Sequence, residues 1–132
     1  MIWRRQFSLL FVSILWAACG SSGSRKPDIP DSVSPGWKLN SIAASAVPAG
    51  VPADGSPDCW KADYSGQGSA NVWLCWYKAT ANAFDAVQRA RAEAQTVKFQ
   101  EDHYLVLVSW NNAPKANLTA LIRALQKSLQ PK

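Results

Sequence analysis

Residues 58–78 read DCWKADYSGQGSANVWLCWYK, and the register in which this stretch folds back on itself decides the fold. Asp58–Tyr64 and Asn71–Lys78 both alternate in polarity, and Ser65-Gly66-Gln67-Gly68-Ser69 between them is a turn signal. With Gln67 at the centre of a β-hairpin, Trp60 opposes Leu74, Ala62 opposes Val72 and Tyr64 opposes Ala70. Together with Trp76 these make one apolar face. On the other face Lys61 opposes Trp73, Asp63 opposes Asn71 and Cys59 opposes Cys75. A slip of one residue would turn every side chain over, so the apolar pattern and the cysteine pairing support one register.

Downstream, Asn82–Gln95 has a helical pattern, with Asn82 as N-cap and Ala83, Phe84, Val87, Ala90 and Ala94 as its apolar stripe. Arg89 and Glu93 form an i,i+4 pair on its wet side. Val97–Phe99 reads as a short edge strand that turns at Glu101-Asp102. His103–Trp110 follows as a central strand, because apolar residues occupy both of its faces. Pro114 suits a helix first turn, and Leu118, Leu121, Ile122, Leu125 and Leu129 recur at helical spacing after it. Upstream, Trp37-Lys38-Leu39 opens the domain as a short strand. Asn40–Pro57, with prolines at 48, 52 and 57, reads as an irregular loop with one helical turn at Ser41–Ala46. The order predicts an α+β two-layer sandwich: a mainly antiparallel sheet of about four strands, with both helices on one face.

The rest of the chain is address and tether. Arg4 and Arg5 precede a mostly apolar run, Phe7–Ala18, and small residues then flank Cys19. This is the three-part order of a secretory signal, and the run is too short to span a bilayer. Residues 1–18 are therefore expected to be a signal peptide. Residues 19–36, rich in Ser, Gly and Pro with only Ile29 and Val33 apolar, are expected to be a flexible tether. Residues 37–132 remain as a single globular domain. The chain has 132 residues and a formal charge of +5; without Arg4 and Arg5, its 14 basic residues fall to 12 against nine acidic ones. A surplus of three with no basic run argues against nucleic-acid binding, and gives weak attraction to anionic lipid headgroups.

Leu15-Trp16-Ala17-Ala18-Cys19-Gly20 resembles the lipobox of bacterial lipoprotein precursors, with Trp16 where that family commonly has Leu. The resemblance covers residues 1–20 only. It implies cleavage before Cys19, acylation of the Cys19 thiol, and a cell-envelope location anchored in the lipid bilayer and facing the periplasm. Gly20 after the cysteine implies the outer membrane in a Gram-negative host. Ala18 and Gly20 also admit ordinary signal-peptidase cleavage after Gly20, and Arg4-Arg5-Gln6-Phe7 resembles the core of a twin-arginine signal. With Cys19 acylated, an exported chain keeps two cysteines, and Cys59 and Cys75 are expected to form a disulfide; two buried free thiols are the alternative.

No catalytic constellation stands out, and no cofactor or metal is indicated. His103 is the only histidine, and with Asp102 or Glu101 it gives a weak acid–base candidate. Trp73, on the cysteine face with Tyr77 and Lys61, is a candidate platform for a sugar ring, a peptide or a partner surface, unless it only covers the disulfide. The sequence thus points to a small non-enzymatic envelope lipoprotein that binds a protein or cell-wall component. The alternative is a small periplasmic hydrolase using His103 with a nearby carboxylate.

Overall fold

The computed structural model of the chain describes residues 26–131. The signal, the lipobox and Cys19 lie outside the described residues. Six strands form one antiparallel sheet: β1 Ser32–Val33, β2 Trp37–Ser45, β3 Asp58–Gly66, β4 Gly68–Trp76, β5 Thr96–Glu101 and β6 Tyr104–Asn111. Helix α1, Thr80–Arg89, follows β4, and α2, Lys115–Leu129, closes the described chain. The strand order is β1-β2-β3-β4-β6-β5. Class, antiparallel sheet and helix count agree with the sequence reading; the sheet has six strands where about four were expected, and β1 and the part of β2 beyond Leu39 are new.

The β3–β4 hairpin has the register read from the sequence, from Asp58 opposite Trp76 to Gly66 opposite Gly68, with Gln67 at the tip. Gly68 holds φ +104°, a conformation glycine adopts without cost. Cys59 and Cys75 are disulfide-bonded, their Cα atoms 4.1 Å apart, slightly closer than the ~4.5 Å of a non-hydrogen-bonded antiparallel pair.

The helices do not share a face. One core layer joins Ala62, Tyr64, Val72, Leu74, Val106 and Val108 to Leu118, Leu121, Leu125 and Leu129 of α2. The other joins Cys59, Cys75, Tyr77, Leu105 and Leu107 to Ala83 and Ala86 of α1 and to Ala90 just after it. The sheet is thus sandwiched between α1 and α2. The cause lies in β6: Leu105–Val108 is a run of four buried side chains, two per face. Each stabilises the fold by about 1.5–3 kcal/mol only if its own side is covered, so both faces require a layer.

Two further expectations are corrected. Asn40–Pro57 is not all loop, because β2 runs to Ser45 and pairs with β3 from Lys38 opposite Ser65 to Ser45 opposite Cys59. The register shifts between Leu39 and Ser41, and this bulge at Asn40 breaks the period-two pattern. The second correction concerns the tether. Pro27 and Ile29 are buried, β1 pairs with β2, and Tyr64 donates its hydroxyl to the Pro30 carbonyl at 2.7 Å. Leu39 N–H donates to the Asp31 carbonyl at 2.7 Å. Packing of the described chain therefore includes Pro27–Val33, ahead of Trp37, which the sequence reading gave to the tether. Ile29 and Val33, too few to form a core of their own, join the one built by Trp37 and α2.

Candidate functional site

The face of the sheet that carries the disulfide is covered at one end and open at the other. Helix α1 and the β2–β3 loop close the cysteine end, where Val47 and Val51 of the loop join the core layer. Gly50 fixes the loop: its carbonyl accepts the Arg91 N–H at 3.0 Å, and its φ of +84° belongs to the left-handed region. The open end is polar. Ser41, Asp63, Asn71, Ser109 and Thr96 lie in one row across β2, β3, β4, β6 and β5. Ser41 donates to the Asp63 carboxylate at 3.1 Å. The Asn71 amide and the Ser109 and Thr96 hydroxyls have no hydrogen-bond partner among the described residues.

Trp73 stands at the boundary between the two ends, half-buried. The exposed Lys61 on β3 holds its Nζ 5.5 Å from the centroid of the Trp73 ring, a cation–π contact. Toward β6 and β5, away from Lys61, Trp73 forms one wall of an open recess of about 210 Å³. Leu107, Ser109 and Thr96 line its floor side, Pro48 and Ala49 come from the β2–β3 loop, and Arg91 and Glu93 from the stretch after α1. The sequence reading missed these seven lining residues apart from their strand positions. It carried the helix on to Gln95, which placed Arg91 and Glu93 on a helix surface.

Helix α1 ends at Arg89 because Lys98 of β5 donates its ammonium to the Ala90 carbonyl at 2.8 Å and to the Gln88 carbonyl at 3.4 Å. Arg89 pairs with Asp85 at 2.8 Å and with Asp54 at 2.9 Å, not with Glu93. Its N-cap position is Ala79 rather than Asn82, and Phe84, placed in the apolar stripe by the sequence, is 54% exposed.

Tyr77 does not join Trp73 on an open surface. It is fully buried, donating its hydroxyl to the Pro52 carbonyl at 3.2 Å. Burial pushes its pKa up, with smaller opposing effects from the Arg89 and Asp54 charges. The sequence reading exposed Tyr77 because it left this face without a helix.

His103 is a structural pin. Its Nδ1 lies 2.9 Å from the Tyr77 carbonyl, which only accepts, so Nδ1 carries the hydrogen. Tyr77 N–H donates back to the His103 carbonyl at 2.9 Å, and the imidazole stacks on Trp76 with centroids 5.5 Å apart. The ring is oriented by a backbone carbonyl and not by Asp102 or Glu101. Asp102 turns the chain with φ +54° while its carbonyl accepts from Gln100. The recess and His103 share no lining residue.

The chain matches no protein-family model, no curated protein and no solved structure. Its site is therefore read from its own chemistry. Among the described residues no group of three or more His, Cys, Asp and Glu side chains could hold a metal, and no helix is long and apolar enough to cross a membrane. What the recess offers is an indole wall and, on its floor side, apolar atoms of Leu107 and the unspent hydroxyls of Ser109 and Thr96. A charge of each sign, Arg91 and Glu93, also lines it.

Proposed function

We propose that this chain is a non-enzymatic envelope lipoprotein, anchored through Cys19, whose domain binds a cell-wall component in the recess beside Trp73. The observation that carries the reading is the half-buried indole walling a recess next to three side chains with unspent hydrogen-bonding groups. An aromatic wall beside hydroxyl and amide partners suits a ligand with a flat apolar face and a polar edge, the chemistry of a sugar ring. The volume, about 210 Å³, is below the ~300–1,000 Å³ typical of drug-sized pockets, so one ring enters while the rest of a glycan strand lies outside. The polar row from Ser41 to Thr96 offers that outside portion hydrogen-bonding partners.

Titration of the mature protein with solubilised cell-wall glycan fragments tests this. The indole N–H resonance of Trp73, assigned from Trp73→Phe, should shift together with the Asn71 amide, and Trp73→Ala should abolish saturable binding. A ligand that shifts residues of the α2 face alone, or equal affinity for the Trp73→Ala variant, would reject the site. Intact mass of the membrane-extracted protein tests the anchor: an acylated chain starting at Cys19 is expected, and an unmodified chain starting at Ser21 rejects it.

A further inference from the structure

We infer that α2 is a membrane-facing surface, held against anionic lipid headgroups so that the Trp73 recess on the opposite sheet face points away from the bilayer. The inference rests on the lipoprotein reading for the anchor, but not for the charge of the surface. All nine acidic residues of the chain precede His103; the last 30 residues carry Lys115, Arg123, Lys127 and Lys132 and no acid. On α2, Lys115, Arg123 and Lys127 are exposed and lie in one i,i+4 row through Thr119. This arrangement works against the helix. Lys115 stands in a first turn without acidic residues, where the dipole disfavours a cation, and Arg123 and Lys127 are like charges at i,i+4. The α1 side is different, since Asp54 and Asp85 pair with Arg89 there.

The path of the chain supplies the second observation. The N-terminal segment reaches the domain at the far end of α2, where Asp28, Ile29 and Pro30 form a groove with Lys127, Ser128 and Gln130. Asp28 and Lys127 line the same groove, and Lys115 and Arg123 stand further along the helix. Seven peptide steps separate Cys19 from Lys26, a reach of at most about 25 Å. An acyl group on Cys19 thus holds this end of α2 within a short distance of the headgroups. One acyl signal gains from a second, electrostatic one, and each basic residue near an anionic surface adds about fivefold to binding.

Partitioning of the chain from residue 19, carrying Cys19→Ser, between buffer and vesicles tests the surface without the anchor. Binding to phosphatidylglycerol vesicles at low salt should exceed binding to phosphatidylcholine. Replacing Lys115, Arg123 and Lys127 together by Gln should cut it by roughly 100-fold, at about fivefold per residue, and 0.5 M salt should do likewise. Equal partitioning of wild type and triple variant, or no preference for phosphatidylglycerol, overturns the inference. In the acylated protein the free thiol of Ala116→Cys, on α2, should carry a fluorophore quenched by headgroup-linked quencher in anionic vesicles. The same fluorophore at Ser41→Cys should escape quenching; equal quenching at both positions overturns the orientation. An unacylated Cys19 by mass would reject the lipoprotein reading alone, and the vesicle partitioning would still decide the surface.

Discussion

Trp60 and Trp73 sit on adjacent strands and point to opposite sides of the sheet, since Trp60 opposes Leu74 and Trp73 opposes Lys61. Trp60 is 8% exposed, whereas Trp73 borders a recess. Truncating a buried aromatic removes transfer energy and leaves a cavity, so Trp60→Ala should cost about 3–5 kcal/mol. Trp73→Ala empties a site already open to solvent and should cost about 1 kcal/mol, while removing ligand binding. Urea melts of the two variants measure the difference, and equal losses would contradict the face assignment. The tyrosines give a second residue-level outcome. Burial raises the Tyr64 hydroxyl well above its ordinary value near 10, with the Asp31 charge adding to it, and burial raises Tyr77 as well. The unfolded chain then loses these protons at a lower pH than the folded one. Their contribution is fully present below about pH 10 and falls as pH rises above it. Unfolding followed from pH 8 to 12 should show stability declining above pH 10. Tyr64→Phe should start from a lower plateau, because the Pro30 carbonyl loses its donor, and decline less steeply.

At the scale of elements, the cross-link belongs to the hairpin. The Cys59–Cys75 bridge closes a loop with a sequence separation of 16, for which the chain-entropy account gives about 3 kcal/mol. Cys59→Ser should therefore lower stability by about 2–4 kcal/mol under oxidising conditions and leave Cys75 as a free thiol at the packed end of the face. A denaturant midpoint unchanged from wild type would contradict this. The hairpin was legible in the sequence because register, apolar face and cysteine pairing all depend on one turn centre. Of β2 only Trp37–Leu39 was, because the bulge at Asn40 breaks the alternation and Ala43 and Ala44 beyond it carry little pattern. The end of α1 was hidden for a different reason. Lys98 of β5 and Gly50 of the β2–β3 loop satisfy the groups there, and neither leaves a local stop signal. The missing covering helix also explains the site: Trp73 and Lys61 were found from alternation alone. Pro48, Ala49, Arg91 and Glu93 arrive through loops whose course depends on where α1 packs.

The whole molecule is a sheet with two unlike sides, one closed by α2 and the N-terminal segment, the other partly closed by α1 and bearing the recess. The N-terminal segment makes this arrangement mechanical, because it ties the end of the chain that leads to Cys19 into the α2 layer. Ile29 is 8% exposed in that layer, the Pro30 carbonyl accepts from Tyr64, and Ser32 and Val33 pair with β2. Were residues 26–36 a mere tether, Ile29→Ala would change stability by no more than the ~0.5 kcal/mol of an ordinary surface substitution. Packed as they are, removing three methyl-sized groups from Ile29 should cost about 2–3 kcal/mol, toward the lower end for a buried Ile because the site is at the rim of the core. The loss should also be local. A protease of broad specificity should cut Ile29→Ala within residues 27–34 at concentrations that leave the wild-type segment intact, while β3, β4 and β6 stay protected from amide exchange in both. Loss of protection across the whole sheet would instead make this segment part of the global folding unit. Wild-type cutting and wild-type stability in Ile29→Ala would contradict the packing of the segment.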